Sequence, residues 1–224
     1  MAQIEIRDVS KIFTVGDLQI RAVDDVSLGI EKGEFLSIVG HSGSGKTTFL
    51  SIIGGIMKPT SGRVLFEGKD ISSLDDAGLS GYRNNTVGFM FQFASLLPIL
   101  TAWENVLLPC LFGSGCDVND KKRAEELLHL VGLGDKINAY PSQLSGGQQR
   151  RVAIARAFMN APEVILADEP TGDLDEETEA EIMELFKKLN REQNVTFIFI
   201  THNLDLARQA QKQIRMTHGV IKEI

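Results

Sequence analysis

Eight consecutive residues, Gly40-His41-Ser42-Gly43-Ser44-Gly45-Lys46-Thr47, supply three kinds of group that a polyphosphate needs, in the order GxxxxGK[ST]. The glycines let the backbone curl so that successive N–H groups point at phosphate oxygens. The loop is predicted to open a helix, whose positive N-terminal end favours an anion. Lys46 can reach the β- and γ-phosphates, the Thr47 hydroxyl can ligate Mg²⁺, and Thr48 follows at the same helix start. Together they describe a nucleoside triphosphate site. Downstream, Val164-Ile165-Leu166-Ala167-Asp168-Glu169 ends an apolar run in two carboxylates. At a strand end beside the phosphate loop, Asp168 can hold Mg²⁺ or its water. Glu169 can position or deprotonate a water beside the γ-phosphate. A third string, Leu144-Ser145-Gly146-Gly147-Gln148, reads as a Ser-Gly-Gly turn opening another helix, and so as a second anion-binding N-terminus. One nucleotide has no use for two such ends from distant loops of one domain.

The elements that must position these groups are visible in the apolar spacing. Phe35-Leu36-Ser37-Ile38-Val39 is predicted to be a buried strand running straight into the glycine-rich loop. Phe49, Ile52, Ile53 and Ile56 then fall on one helical face, which ends near Lys58-Pro59-Thr60-Ser61-Gly62. Val64-Leu65-Phe66, Val87–Phe91, Val164–Ala167 and Val195–Ile200 are further strands, the last two short enough and apolar enough to be buried on both faces. Ala124, Leu127, Leu128 and Val131 show helical spacing, as do Ile182, Leu185, Phe186 and Leu189. Alternating strands and helices imply an α/β fold with a largely parallel sheet. From about 93 to 160 the pattern is mostly helical, as expected of an insertion between two halves of the core.

The 224 residues suffice for a sizeable core, and 43% hydrophobic with 24% charged residues is the balance of an ordinary globular protein. A net charge of −7 argues against nucleic acid as the main partner, because phosphate contacts need clustered Lys and Arg. The start, Met1-Ala2-Gln3-Ile4-Glu5-Ile6-Arg7-Asp8, lacks the basic and apolar regions of a signal peptide. The longest apolar stretch, Val106–Phe112, falls far short of the roughly 20 residues that span a bilayer. A membrane role therefore requires another chain. Cys110 and Cys116, the only cysteines, form no CxxC and are expected to be reduced thiols.

The three motifs in this order resemble the ATP-binding cassette (ABC) family over essentially the whole chain. The resemblance implies a P-loop NTPase: a RecA-like, mostly parallel core, an N-terminal antiparallel β region and a helical subdomain. It implies one domain over 1–224, with the core at 1–92 and 161–224 and the helical subdomain, carrying the signature, at 93–160. It implies ATP and Mg²⁺ as cofactors. It also resolves the puzzle of the second anion site, because two such cassettes pack head to tail. Ser145, Gly146, Gly147 and Gln148 of one copy then cap the γ-phosphate held by the other. Gln92 resembles the Q-loop glutamine that senses the γ-phosphate and Mg²⁺. His202 resembles the switch histidine that contacts the γ-phosphate. Gly172-Asp173-Leu174-Asp175 resembles the D-loop, with Asp175 reaching across the dimer and also suited to cap a helix. Phe13 sits where the family keeps an aromatic ring on adenine, though an early Phe equally fits a core. Asn203 stands where the family often has Asp. With Glu169 and His202 kept, an active ATPase is expected.

The segment Leu96-Leu97-Pro98-Ile99-Leu100-Thr101-Ala102-Trp103-Glu104-Asn105-Val106-Leu107-Leu108-Pro109 is similar to the macrolide-exporter and lipoprotein-releasing branch, as are Thr14–Val26 and Ser142–Ser145. That similarity implies an integral membrane permease as partner and a place on the cytoplasmic face of the inner or plasma membrane. Phe93, Leu96, Leu97 and Ile99 are then candidates to grip the permease, or equally helical core. The alternative, a soluble cassette ATPase acting on DNA or the ribosome, calls for a coiled-coil insertion, tandem cassettes or basic patches. This acidic, single-cassette sequence has none of these.

Overall fold

The computed structural model describes residues 2–113, 115–172 and 174–224. The chain opens with a long hairpin, β1 (Ile4–Val15) and β2 (Leu18–Ile30), followed by β3 (Phe35–Val39) and α1 (Lys46–Ile53). Next come β4 (Ser61–Phe66), β5 (Lys69–Asp70), α2 (Asp76–Asn85) and β6 (Val87–Met90). Three helices follow, α3 (Ala102–Leu111), α4 (Val118–Leu130) and α5 (Gly146–Ala157), with a short 3₁₀ turn at Pro141–Gln143 before the last. The chain returns through β7 (Val164–Asp168), α6 (Glu176–Gln193), β8 (Thr196–Ile200), α7 (Leu204–Ala207), β9 (Lys212–Thr217) and β10 (Val220–Glu223).

The strands form two sheets. One is antiparallel, in the order β2-β1-β4-β5. The other runs β10-β9-β3-β8-β7-β6, with every pair parallel except β10 with β9. Side chains alternate across a strand, and the two hydrophobic clusters follow that alternation. Phe35, Ile165, Ala167, Phe197 and Phe199 face the cluster built with α3, α4, α5 and α6. Leu36, Ile38, Val164, Leu166, Ile198 and Ile200 face the cluster built with α1 and the antiparallel sheet. The central strands are thus buried on both faces, which explains their unbroken apolar runs. The Phe197 ring sits 5.0 Å from Phe186 and 5.5 Å from Phe35, which joins sheet to helices.

Two expectations need correction. Ile56 leaves the apolar face of α1: the helix stops at Ile53, Gly54 and Gly55 turn the chain, and Ile56 is exposed. Cys110 and Cys116 are not free thiols but are joined as a disulfide, with Cα atoms 5.4 Å apart. The chain turns back as soon as α3 ends, which brings two residues six positions apart within bonding reach. No helix among the described residues is long and apolar enough to cross a membrane.

Candidate nucleotide site

The phosphate loop leaves β3 at the edge where the parallel strands end and enters α1 directly. Its shape depends on glycine. Gly45 has φ 104°, and a Cβ there would run into the Ala22 carbonyl; Gly40, at φ 157°, is pressed in the same way against the Met216 carbonyl. No side chain caps α1, and no acidic residue occupies its first turn, so its N-terminal dipole is left open to an anion. Lys46, largely buried, folds back over the loop and donates to the carbonyls of Gly40 (2.8 Å) and His41 (2.9 Å). Ser44 Oγ is buried without a hydrogen-bond partner among the described residues. An orphaned hydroxyl in a curled loop fits a ligand oxygen.

Across the cleft, the Thr47 hydroxyl donates to Asp168 at 2.7 Å. Asp168 closes β7, and β7 is held between β6 and β8. Burial raises the Asp168 pKa and the Glu169 carboxylate adds to that, whereas the Thr47 hydrogen bond and Lys46 lower it. A threonine hydroxyl and one carboxylate are the hard oxygen donors that Mg²⁺ takes when phosphates complete its shell. Among the described residues, no cluster of three or more His, Cys, Asp or Glu offers an all-protein cage instead.

Glu169 leaves β7 with φ 46°, a strained value for a non-glycine residue, fixed by its N–H donating to the Ile200 carbonyl (3.0 Å). Its Oε2 lies 3.3 Å from His202 Nδ1, which comes from the loop after β8. Gln92 follows β6, just beyond the point where the ladder ends at Met90. The resulting cleft of about 460 Å³ is lined by the loop from Ser42 to Thr48 with Gly40 and Ala22, and by Gln92, Asp168, Glu169 and His202. Its size suits a nucleotide. His41 contributes its carbonyl to Lys46 and does not line the cleft.

Three expected groups lie elsewhere. Ser145 caps α5 in a reciprocal box: Ser145 Oγ accepts from Gln148 N–H, and Gln148 Oε1 accepts from Ser145 N–H. Gly146 and Gly147 form the first turn, and none of the four residues lines the cleft. Asp175 caps α6, accepting from the Thr178 N–H (3.0 Å) and hydroxyl (2.8 Å), while Asp173 lies outside the described residues. Phe13 sits on the β1–β2 hairpin beneath Lys11 Nζ, 5.5 Å from the ring centroid, and does not line the cleft either.

The family profile for ABC transporters matches residues 23–172. The chain belongs to the ABC transporter family. The cassette is 45% identical to the lipoprotein-releasing system ATP-binding protein LolD of Syntrophus aciditrophicus, over 97% of this chain and 98% of that one. It is 42% identical to the macrolide export ATP-binding/permease protein MacB of Syntrophobacter fumaroxidans, over 99% of this chain but only 31% of that longer protein. Its fold matches an ATP-binding cassette solved as a dimer in a post-hydrolysis state bound to ADP and Pi, with TM-score 0.91, 44% identity, and 99% and 97% coverage. The cassette is thus an ATPase and an ATP-binding subunit of an ABC transporter.

Sequence reasoning missed the side chains that brace this site. Arg150 and Arg156, both on α5, donate to the backbone on either side of Gln92. Arg150 reaches the Phe91 carbonyl (2.9 Å), and Arg156 reaches those of Ala94 (2.7 Å) and Ser95 (2.9 Å). Burial lowers the Arg156 pKa. Glu179 accepts from Thr171 and from Asn203. Arg150, close behind the glycine turn, and Arg156, near the end of the same helix, were the available signal for the first group. The acidic start of α6 hid Glu179 among like neighbours.

Proposed function

We propose that the cassette binds MgATP in this cleft and hydrolyses it as one half of a head-to-tail pair of identical chains. The carrying observation is an asymmetry. The phosphate loop, the Thr47–Asp168 pair and the Glu169–His202 pair share one cleft, whereas the capped Ser145–Gln148 turn lies outside it. In this reading Lys46 and the loop N–H groups neutralise the β- and γ-phosphates. Thr47, Asp168 and Gln92 would hold Mg²⁺, which would supply charge neutralisation on the phosphates. Glu169 takes a proton from the attacking water, whose oxygen joins the γ-phosphorus as the bond to ADP breaks and leaves Pi. His202 contacts the γ-phosphate. Asp175 and the Ser145–Gln148 turn meet the second copy, and Phe13 stacks on adenine. The relatives solved as dimers support the pairing.

The same reading divides the chain into a core (1–92 and 161–224) and a helical subdomain (93–160), and seats it on the cytoplasmic face of a membrane beside a permease. The likeness to LolD and MacB supports the lipoprotein-releasing or macrolide-exporting branch. A groove of about 490 Å³, bordered by Phe89, Phe91, Leu108 and Phe112 and also by Arg83 and Arg156, suits an amphipathic helix of that permease. Phe93, Leu97 and Ile99 are exposed but do not line it.

Glu169→Gln tests the site. It should keep ATP affinity and slow hydrolysis by about 10²–10⁴-fold, the span of general-base effects. Normal turnover of the purified variant would remove the role assigned to Glu169.

A further inference from the structure

Two loops must keep Glu169 and His202 in reach of one another, and one carboxylate fastens both. Glu179, on the first turns of α6, accepts from the Thr171 hydroxyl through Oε2 (3.1 Å) and from the Asn203 amide through Oε1 (3.2 Å). Thr171 is buried and lies two residues beyond Glu169; Asn203 is the neighbour of His202. The amide of Asn203 has a fixed orientation. Its Oδ1 accepts from the Asp205 and Leu206 N–H groups at the start of α7 (2.9 and 3.4 Å), so only the Nδ2 donor is left to face Glu179.

We propose that Asn203 and Glu179 are a matched positioning pair for hydrolysis, and that position 203 carries an amide because its partner is a carboxylate. A carboxylate at 203 would keep the helix cap, since its oxygen accepts as well as the amide oxygen. Its second oxygen would then confront Glu179 Oε1 at hydrogen-bond distance. Two carboxylates that close cannot both stay charged and in place, so the loop carrying His202 swings off the loop carrying Glu169. This inference rests on the proposed pairing of Glu169 and His202 at the reacting phosphate. Neither Asn203 nor Glu179 touches nucleotide in it.

The test is a charge swap within one chain. Asn203→Asp should lower kcat about tenfold, the rate equivalent of one hydrogen bond to a charged group, with KM for ATP changed by less than about twofold. Adding Glu179→Gln gives the carboxylate introduced at 203 an amide donor while Thr171 keeps an acceptor. The double variant should return kcat to within about twofold of the starting protein. Wild-type kcat in Asn203→Asp overturns the pair. So does a double variant that fails to regain turnover, whether or not circular dichroism shows it folded. The two failures separate cleanly. Normal turnover in the Glu169→Gln single variant removes the site reading, whereas normal turnover in the Asn203→Asp single variant, when Glu169→Gln alone is slow, removes only the pair.

Discussion

Burial lifts the pKa of Asp168 above its ordinary value, and only the Thr47 hydroxyl and the Lys46 ammonium oppose burial and the adjoining Glu169. A folded-state pKa above the unfolded value means that the folded chain binds more protons in the window just above the ordinary carboxylate pKa. Stability therefore falls as pH rises through that window, and the charged residue is a cost to the nucleotide-free protein at neutral pH. Asp168→Asn should accordingly raise the melting temperature of the nucleotide-free cassette at neutral pH, with less gain at pH 4. The same change should abolish any extra stabilisation that Mg²⁺ adds to ATP. Thermal melts with and without Mg²⁺ measure both; a variant less stable at neutral pH than its parent would contradict the first expectation. The strain at Glu169 belongs to the same scale. A left-handed φ on a non-glycine residue persists only because the Ile200 carbonyl and the sheet hold it there.

At the scale of elements, α5 does two things at once. Its first turn presents Ser145, Gly146 and Gly147, and its length carries the arginines that hold the segment on either side of Gln92. Arg156→Gln should leave the sheet intact while freeing the carbonyls of Ala94 and Ser95. Backbone amides from about 91 to 97 should then exchange faster with solvent, a local loss of about 1–3 kcal/mol. Unchanged exchange there would show that Arg156 does not brace the loop. Gly146→Asp makes a cleaner probe of the turn than Gly147→Asp. A Cβ at Gly146 meets open space, whereas one at Gly147 meets the Thr178 methyl at 2.7 Å. Gly146→Asp should keep ATP binding in the single chain and block hydrolysis by repelling the partner's phosphate. Full turnover of a folded Gly146→Asp protein would argue against the composite site.

How far such features could be read from the sequence depends on how local they are. The phosphate loop is eight consecutive residues, so its chemistry is written in order. The strands flanking it show as unbroken apolar runs because both faces are covered. The Glu179 bridge draws single residues from three separate segments, and no spacing signals it. The Cys110–Cys116 bond was missed because it depends on where α3 stops, and Ile56 was misplaced for the same kind of reason at α1.

At the scale of the whole molecule, the proposed composite site, with its second anion contact from another copy, would make turnover depend on protein concentration. Specific activity should rise with concentration and level off. Glu169→Gln with ATP should sediment as a dimer, and Ser145→Arg as a monomer in the same buffer. Concentration-independent turnover by wild-type monomers would defeat the pairing. The large sheet between α1 on one face and α5 on the other is packed on both sides and resists compression.

Among the described residues, six of the seven α-helices begin with their own cap: Asp75, Thr101, Asp117, Ser145, Asp175 and Asn203 each accept from a backbone N–H of the turn they open. Only α1 lacks one. For that helix the proposed nucleotide would supply the missing cap, and loading it should stabilise the fold. Saturation at about a hundred times Kd adds about 2.7 kcal/mol, or roughly 2–4 °C for each kcal/mol in a chain of this size. Inorganic phosphate, which fills the same helix end without the rest of the nucleotide, should move the melt in the same direction by less. A melt indifferent to phosphate and ATP alike would mean that α1 is already complete without them.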